Sequence, residues 1–335
     1  MEKLHLNIVS ESDFTVQGHG VHTAYLEMRQ GLEDGMPNLA LTVNAPPQKI
    51  TDVTHIHTVG SFAFRRLVSR FGGKKVVSAH IVPDSLIGSI IGARWWLPFF
   101  KIYLRWFYNR ADLVIAVSST ARQKLIKLGV TSPVKVLENF IDTQKYATSL
   151  AQKKSFRDKL ALPKHKFIVV GNGQIQPRKR FETFLAIAES LPELQFVWVG
   201  GIPFKALGDS YLKMSKLIKQ PPANLRITGV VSLAEAGRYM RADDMMFMPS
   251  CQETFGLAVI EGAASGLPVL VRDIADYDAT FGDLVLRGDE ENFAKLILRL
   301  AKQPKFYAKW RANSAQLAVK YDVGIGIARL IKLYR

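Results

Sequence analysis

The chain has 335 residues, too long for one small core and suited to two domains of ordinary size. Its 48% hydrophobic and 22% charged composition is that of a globular protein, and a single cysteine, Cys251, excludes an intrachain disulfide framework and points to a reducing compartment. The net charge of +16 is uneven: residues 60–135 carry thirteen Lys and Arg against Asp84 and Asp112, and residues 1–59 are net acidic. Such a field favours a polyanionic partner, nucleic acid or anionic lipid, and charge alone does not choose between them.

The opening MEKLHLNIVSESD reads as a short strand bounded by charges, too short for a signal-peptide core. No later stretch approaches the ~18 uninterrupted apolar residues of a spanning helix, so a cytoplasmic chain that is not integral to a membrane is expected. HTAYLEMRQGLED reads as a helix closing at Gly35, and LALTVN, DVTHIHT and KKVVSAH as strands. Residues 94–110 read as a helix on which Arg94, Lys101 and Arg105 fall within about 40° of each other. The rest is apolar and aromatic, with Trp95, Trp96 and Trp106 among it. This is either an interfacial membrane element or a core helix with one exposed basic stripe, and Pro98 fits both. ADLVIAVSS is a strand leading into the helix TARQKLIKLG, and VKVLENF closes the series.

The pattern breaks near residues 143–166, which are polar and highly basic, and then restarts. KFIVVGNG, LQFVWVGG, LRITG, MMFMPS and LPVLV read as strands; RFETFLAIAESL, LAEAGRYMRA and FGLAVIEGAASG read as helices. Alternation of this kind implies βαβ units on parallel sheets. The expected fold is therefore α/β, two Rossmann-like domains with parallel sheets facing across a cleft that holds the chemistry. The expected boundaries are 1–143, 144–310 and a terminal helix over 311–335 that packs back on the first domain.

The most specific segment runs from Pro249 to Glu261. A strand enters a loop carrying Glu253, a helix opens near Phe255, and Glu261 follows eight residues after Glu253. The N–H groups of Gly256 and Leu257 at the helix start suit an anion, and the two carboxylates suit hydroxyls on either side of it. A nucleotide-sugar has that layout. On spacing alone, an ordinary αβ unit with a capping acid and a surface acid fits equally.

The Glu-x7-Glu pattern with its embedded Phe255-Gly256-Leu257 and the following ASGLPVLV resembles the donor-site signature of glycosyltransferase family 4, retaining enzymes of the GT-B fold. Gly18-His19-Gly20-Val21, ADLVIAVS at 111–118, Glu138-Asn139-Phe140-Ile141-Asp142, Val199-Gly200-Gly201 and Thr228-Gly229 fall in the family's order. The resemblance implies that Glu261 binds the ribose hydroxyls, Glu253 the transferred sugar, and the Phe255, Gly256 and Leu257 amides sugar and phosphate. It implies that Gly20 lets a loop approach the diphosphate, and that His80 contacts the sugar and steadies developing charge. His57 also ends a strand and reads as structural. In GNGQIQPRKR, Lys179 matches the family's diphosphate lysine, whereas Gln174 stands where an arginine is usual and Arg178 where a glutamate is. Arg178 is then expected to supply the missing cation. The resemblance implies front-face displacement, with lysine, arginine and helix tip taking the place of a metal; no cofactor beyond the nucleotide-sugar, UDP-glucose, is expected.

SAHIVPDSLIGS at 78–89, QPRK at 176–179 and VRD at 271–273 resemble the branch containing monoglucosyldiacylglycerol synthases. That resemblance implies diacylglycerol as acceptor, met at the inner face of the cell membrane by a peripherally attached enzyme, with Asp84 a candidate hydroxyl contact. Phosphatidylinositol and polyprenyl-linked or soluble saccharides remain alternative acceptors. No nucleic-acid-binding motif is present, which speaks against the basic charge serving nucleic acid.

Overall fold

A computed structural model describes residues 3–14, 20–83, 93–202 and 211–335. The chain divides into two compact units, the first formed by residues up to Asp142 together with Tyr321–Arg335, the second by Thr143–Lys320.

In the first unit, strands β1 (Leu4–Val9), β2 (Leu39–Val43), β3 (Val53–Ile56), β4 (Lys74–Ala79), β5 (Leu113–Ala116) and β6 (Val134–Val136) form one parallel sheet in the order β2-β1-β3-β4-β5-β6. β3 and β5 are buried along their whole length, as sheets covered on both faces require. Helices α1 (Gly20–Gly35), α2 (Ser61–Leu67), α3 (Ala93–Tyr108) and α4 (Ser119–Leu128) connect them. The Ser118 hydroxyl accepts from the Ala121 amide to start α4, and Gly129 at φ +89° ends it. The Glu11 carboxylate starts α2, accepting from the amides of Gly60, Phe62 and Ala63.

The second unit includes α5 (Leu150–Lys159), inside the polar stretch where the sequence pattern breaks. Its basic residues are not all solvated: Arg157 is buried, its Nη2 2.6 Å from Asp244 and its Nε donating to the Ala242 carbonyl. β7 (Ile168–Asn172), α6 (Phe181–Ser190), β8 (Gln195–Val199), α7 (Tyr211–Leu217), β9 (Leu225–Ile227), α8 (Leu233–Ala242), β10 (Met245–Met248), α9 (Leu257–Ala264), β11 (Val269–Arg272), α10 (Ala275–Phe281) and β12 (Leu286–Gly288) follow. The six strands are parallel, in the order β12-β11-β10-β7-β8-β9, the doubly wound arrangement whose order reverses between its first and fourth strands. Phe184 centres the core, with ring centroids 5.0 Å from Trp198, 5.5 Å from Phe196 and 5.6 Å from Phe247. A Cβ on Gly171 would lie 2.7 Å from Trp198, so β7 admits only glycine there.

α11 (Phe293–Lys302) and α12 (Pro304–Lys320) complete the second unit, and α13 (Val323–Tyr334) belongs to the first. The single terminal helix expected over 311–335 is thus two helices, broken where the Asp322 carboxylate accepts from the Gly324 amide to start α13. The break also moves the boundary, because the second unit continues to Lys320 instead of stopping at residue 310. α13 lies on α1, where a Cβ on Gly31 would come within 2.4 Å of Val323.

Candidate functional site

Ligands of doubly wound sheets bind beyond the carboxyl ends of the strands, where the strand order reverses. In the second unit that point lies between β7 and β10. The chain leaving β7 supplies Gly173 to Arg180, and the chain leaving β10 supplies Pro249 to Gly256. Topology therefore pairs two segments some seventy residues apart in sequence, and their side chains meet.

Glu253 is the hub. Its Oε1 lies 2.6 Å from Lys179 Nζ and its Oε2 3.4 Å from Arg178 Nη1, and only 6% of Glu253 is exposed. The Tyr277 hydroxyl donates to Oε1 at 3.5 Å, and the Glu253 amide donates to Asp276 at 3.4 Å. Burial alone would push the Glu253 carboxyl up, but Lys179 and Arg178 outweigh it and hold it below its usual range. Burial draws the Lys179 ammonium down, against the opposing pull of Glu253 and Glu261. Glu261 is buried on α9 and accepts from Asn172 Nδ2 at 3.3 Å. Gln174 accepts from Gln176, and Gln176 in turn accepts from Arg178 Nε at 3.1 Å. A row of side chains thus runs from Gln174 through Gln176 and Arg178 to Glu253.

Gly256, at φ +92°, is the N-cap of α9, which begins at Leu257 and not at Phe255. Glu261 is consequently just over one turn into the helix. A Cβ at position 256 would stand 3.0 Å from Tyr277, so fold and backbone both require glycine. Phe255 and Leu257 are buried. The assembly offers two cations, two carboxylates and a helix start, a set able to hold an anion flanked by hydroxyls.

In the first unit, Gly20 begins α1, and an added Cβ there would meet nothing within 4 Å among the described residues. His80 is buried directly after β4, its Nε2 3.0 Å from His57 Nδ1.

A Glycosyltransferase Family 4 model matches residues 17–145 and a Glycosyl transferases group 1 model matches residues 152–317. The chain belongs to glycosyltransferase family 4. It is 29% identical over 332 residues to the alpha-galactosylglucosyldiacylglycerol synthase of Streptococcus pneumoniae, spanning 96% of this chain and 86% of that protein. It is 28% identical over 294 residues to the processive diacylglycerol alpha-glucosyltransferase of Acholeplasma laidlawii, spanning 87% and 86%. Among solved structures, sucrose-phosphate synthase from Thermosynechococcus elongatus superposes with a TM-score of 0.80 over 99% of this chain and 98% of that one at 16% identity. HepE of Anabaena, in complex with UDP and glucose, gives 0.75 over 99% of each chain at 17% identity. The fold is accordingly the GT-B fold.

On this family 4 chain, Lys179, Arg178 and Glu253 form one cluster, with Gln174 joined to it through Gln176. Asp84 lies outside the described residues, as do Gly18, His19 and the side chain of Arg94. Lys101 and Arg105 are exposed on α3, and Trp96 is half-buried against Phe100. α3 differs from a core helix with one exposed basic stripe. Leu97, Leu104, Phe107 and Tyr108 are buried, while Trp95, Phe99, Ile102 and Trp106 are 87%, 74%, 68% and 37% exposed. Their 4-3-4 spacing confines these four to about 60° of arc. The helix thus has a core face, an opposite apolar stripe in solvent and a basic edge, instead of a single basic stripe. Trp106 stacks on Phe64 of α2 and carries the Arg110 guanidinium 4.8 Å from its ring. Among the described residues, no helix is long and apolar enough to cross a membrane and no group of three His, Cys, Asp or Glu is placed to hold a metal ion.

Sequence reasoning passed over Gln176, Asn172, Asp276 and Tyr277. Gln176 and Asn172 stand inside a motif that the family resemblance singles out, which was the available signal. Asp276 and Tyr277 reach Glu253 from α10, a contact that only the fold creates.

Proposed function

We propose that this glycosyltransferase is a peripheral membrane enzyme that transfers glucose from UDP-glucose to diacylglycerol with retention of configuration. The observation that carries the lipid acceptor is the solvent-facing stripe of Trp95, Phe99 and Ile102 beside Lys101 and Arg105. Apolar side chains of this size in water beside cations fit a helix lying in the headgroup region of anionic lipid. Two extended relatives named for diacylglycerol glycolipids support the same acceptor. UDP-glucose is supported by HepE, which binds it.

In this reading Lys179 and Arg178 receive the diphosphate and stabilise it as it leaves, the service a divalent cation gives in other transferases. Lys179 has three N–H donors and uses one on Glu253, so it can bind a phosphate oxygen without releasing the carboxylate. Glu253 holds the sugar hydroxyls, and Asn172 orients Glu261 for the ribose. The sugar–phosphate bond breaks as the acceptor hydroxyl oxygen attacks from the same face and its proton passes to the departing phosphate oxygen, and His80 contacts the sugar.

A second reading has a specific basis. The relative matched over 96% of the chain is named for a diacylglycerol bearing two hexoses. Under that reading the acceptor already carries one sugar and the donor is UDP-galactose. The test is product analysis with UDP-glucose or UDP-galactose, offered diacylglycerol or glucosyl-diacylglycerol in phosphatidylglycerol vesicles. Monoglucosyl-diacylglycerol is the expected product. Galactosyl-glucosyl-diacylglycerol would establish the second reading, and transfer to neither lipid would defeat both.

A further inference from the structure

The carboxyl ends of β3 and β4 bring three imidazoles into one buried row. The ring centroids of His55 and His57 are 4.4 Å apart, and those of His57 and His80 are 5.3 Å apart and nearly parallel. His55 is satisfied at both nitrogens, Nδ1 by the Tyr334 hydroxyl at 2.7 Å and Nε2 by Ser78 at 2.8 Å. His57 is satisfied at one. Its Nδ1 meets His80 Nε2 at 3.0 Å, and its Nε2 is buried with no hydrogen-bond partner among the described residues.

A neutral imidazole carries one N–H, so the shared bond has two possible directions. If His80 donated, the proton of His57 would sit on Nε2, stranding a buried donor. If His57 donates from Nδ1, its Nε2 is a bare lone pair, and stranding an acceptor is the lesser cost in a buried site.

We infer that His57 is a positioning residue whose Nδ1–H donates to His80 Nε2 and so fixes His80 as the Nδ1–H tautomer. Burial beside two other imidazoles keeps His57 neutral, which preserves this direction. The consequence for the reaction is definite. Whatever His80 meets through Nδ1 must accept a hydrogen bond, as a sugar hydroxyl or phosphate oxygen does, and His80 is not the base that removes the acceptor's proton. This rests on the reading above that His80 faces the substrate.

Nitrogen-15 correlation spectra of histidine-labelled full-length protein at neutral pH report each tautomer directly, with His80 assigned by the resonances missing from His80→Ala. His80 is expected as Nδ1–H. Steady-state transfer from UDP-glucose to diacylglycerol in phosphatidylglycerol vesicles supplies the second readout. His57→Leu is expected to lower kcat on the order of tenfold to a hundredfold, with KM for UDP-glucose within about twofold, and to release His80 into mixed tautomers. His57→Asn places an amide donor where Nδ1 stood and is expected to restore most of that loss. An Nε2–H tautomer at His80 in the wild-type protein, or an Asn variant as slow as the Leu variant, would overturn the proposal while leaving His80 in the site. Full activity in His80→Ala would instead overturn the reading beneath it.

Discussion

Two kinds of buried titratable residue hold this molecule, and they respond to acid in different windows. His55 is pushed down to about 3 by burial and by the nearby His80, and His57 lies well below its ordinary 6.5. The unfolded chain takes up protons near 6.5 that the folded first unit refuses, so stability falls as pH drops below that value. The slope is about 1.4 kcal/mol per pH unit for each such histidine. Glu253 is depressed in the opposite sense of charge: its contribution is present above 4.5 and is lost only as pH falls through its lower folded value. Denaturant titrations are therefore expected to show loss of stability beginning between about pH 6.5 and 5, with His57→Asn reducing the slope. A midpoint flat down to pH 4.5 would contradict the burial of these rings. Removing the carboxylate is a separate matter. Glu253→Gln leaves Lys179 buried beside Arg178 without its hydrogen-bonded carboxylate, at a cost of about 3 kcal/mol by precedent for broken buried pairs.

At the scale of elements, α3 makes the sharpest prediction. Trp95, Phe99 and Ile102 are large apolar side chains at 68–87% exposure. Burying such side chains is worth roughly 1.5–3 kcal/mol each. Replacing all three by Ser is expected to weaken vesicle binding by at least about 100-fold in co-sedimentation while leaving UDP affinity unchanged. Retained vesicle binding would place the lipid contact elsewhere. α3 also shows where sequence ran out. Helical-wheel arithmetic located the cations, but a helix with two apolar faces gives no sign of which one meets the core. The parallel strands were legible because sheets covered on both faces demand unbroken apolar runs, as in LVIA of β5 and MMFM of β10. α5 was not, because burial of Arg157 depends on Asp244, 87 residues away. The same limit hid the Lys179–Glu253 and His57–His80 contacts. Each residue stood out or was passed over in its own motif, and only the adjacency of strand ends joins them.

For the whole molecule, the net charge of +16 sets how the protein meets a surface. Thirteen cations between residues 60 and 135 act over a Debye length of about 10 Å at 0.1 M salt and about 3 Å at 1 M. Adsorption to phosphatidylglycerol vesicles is expected to fall by about tenfold or more between those two conditions. The apolar stripe should leave a residual that salt does not remove. Loss of all binding at high salt would assign the attachment to charge alone.

α13 carries Tyr334 in its last turn, whose hydroxyl completes His55, and Gly326 in its first, packed so closely on Phe140 that no Cβ would fit between them. Both arrive after every residue of the second unit has been translated. The lobe that leaves the ribosome first must therefore wait, its sheet uncovered along α1, until the other has emerged in full. Released chains that end before residue 321 are expected to hold every residue of the second unit and a first unit that lacks its last helix.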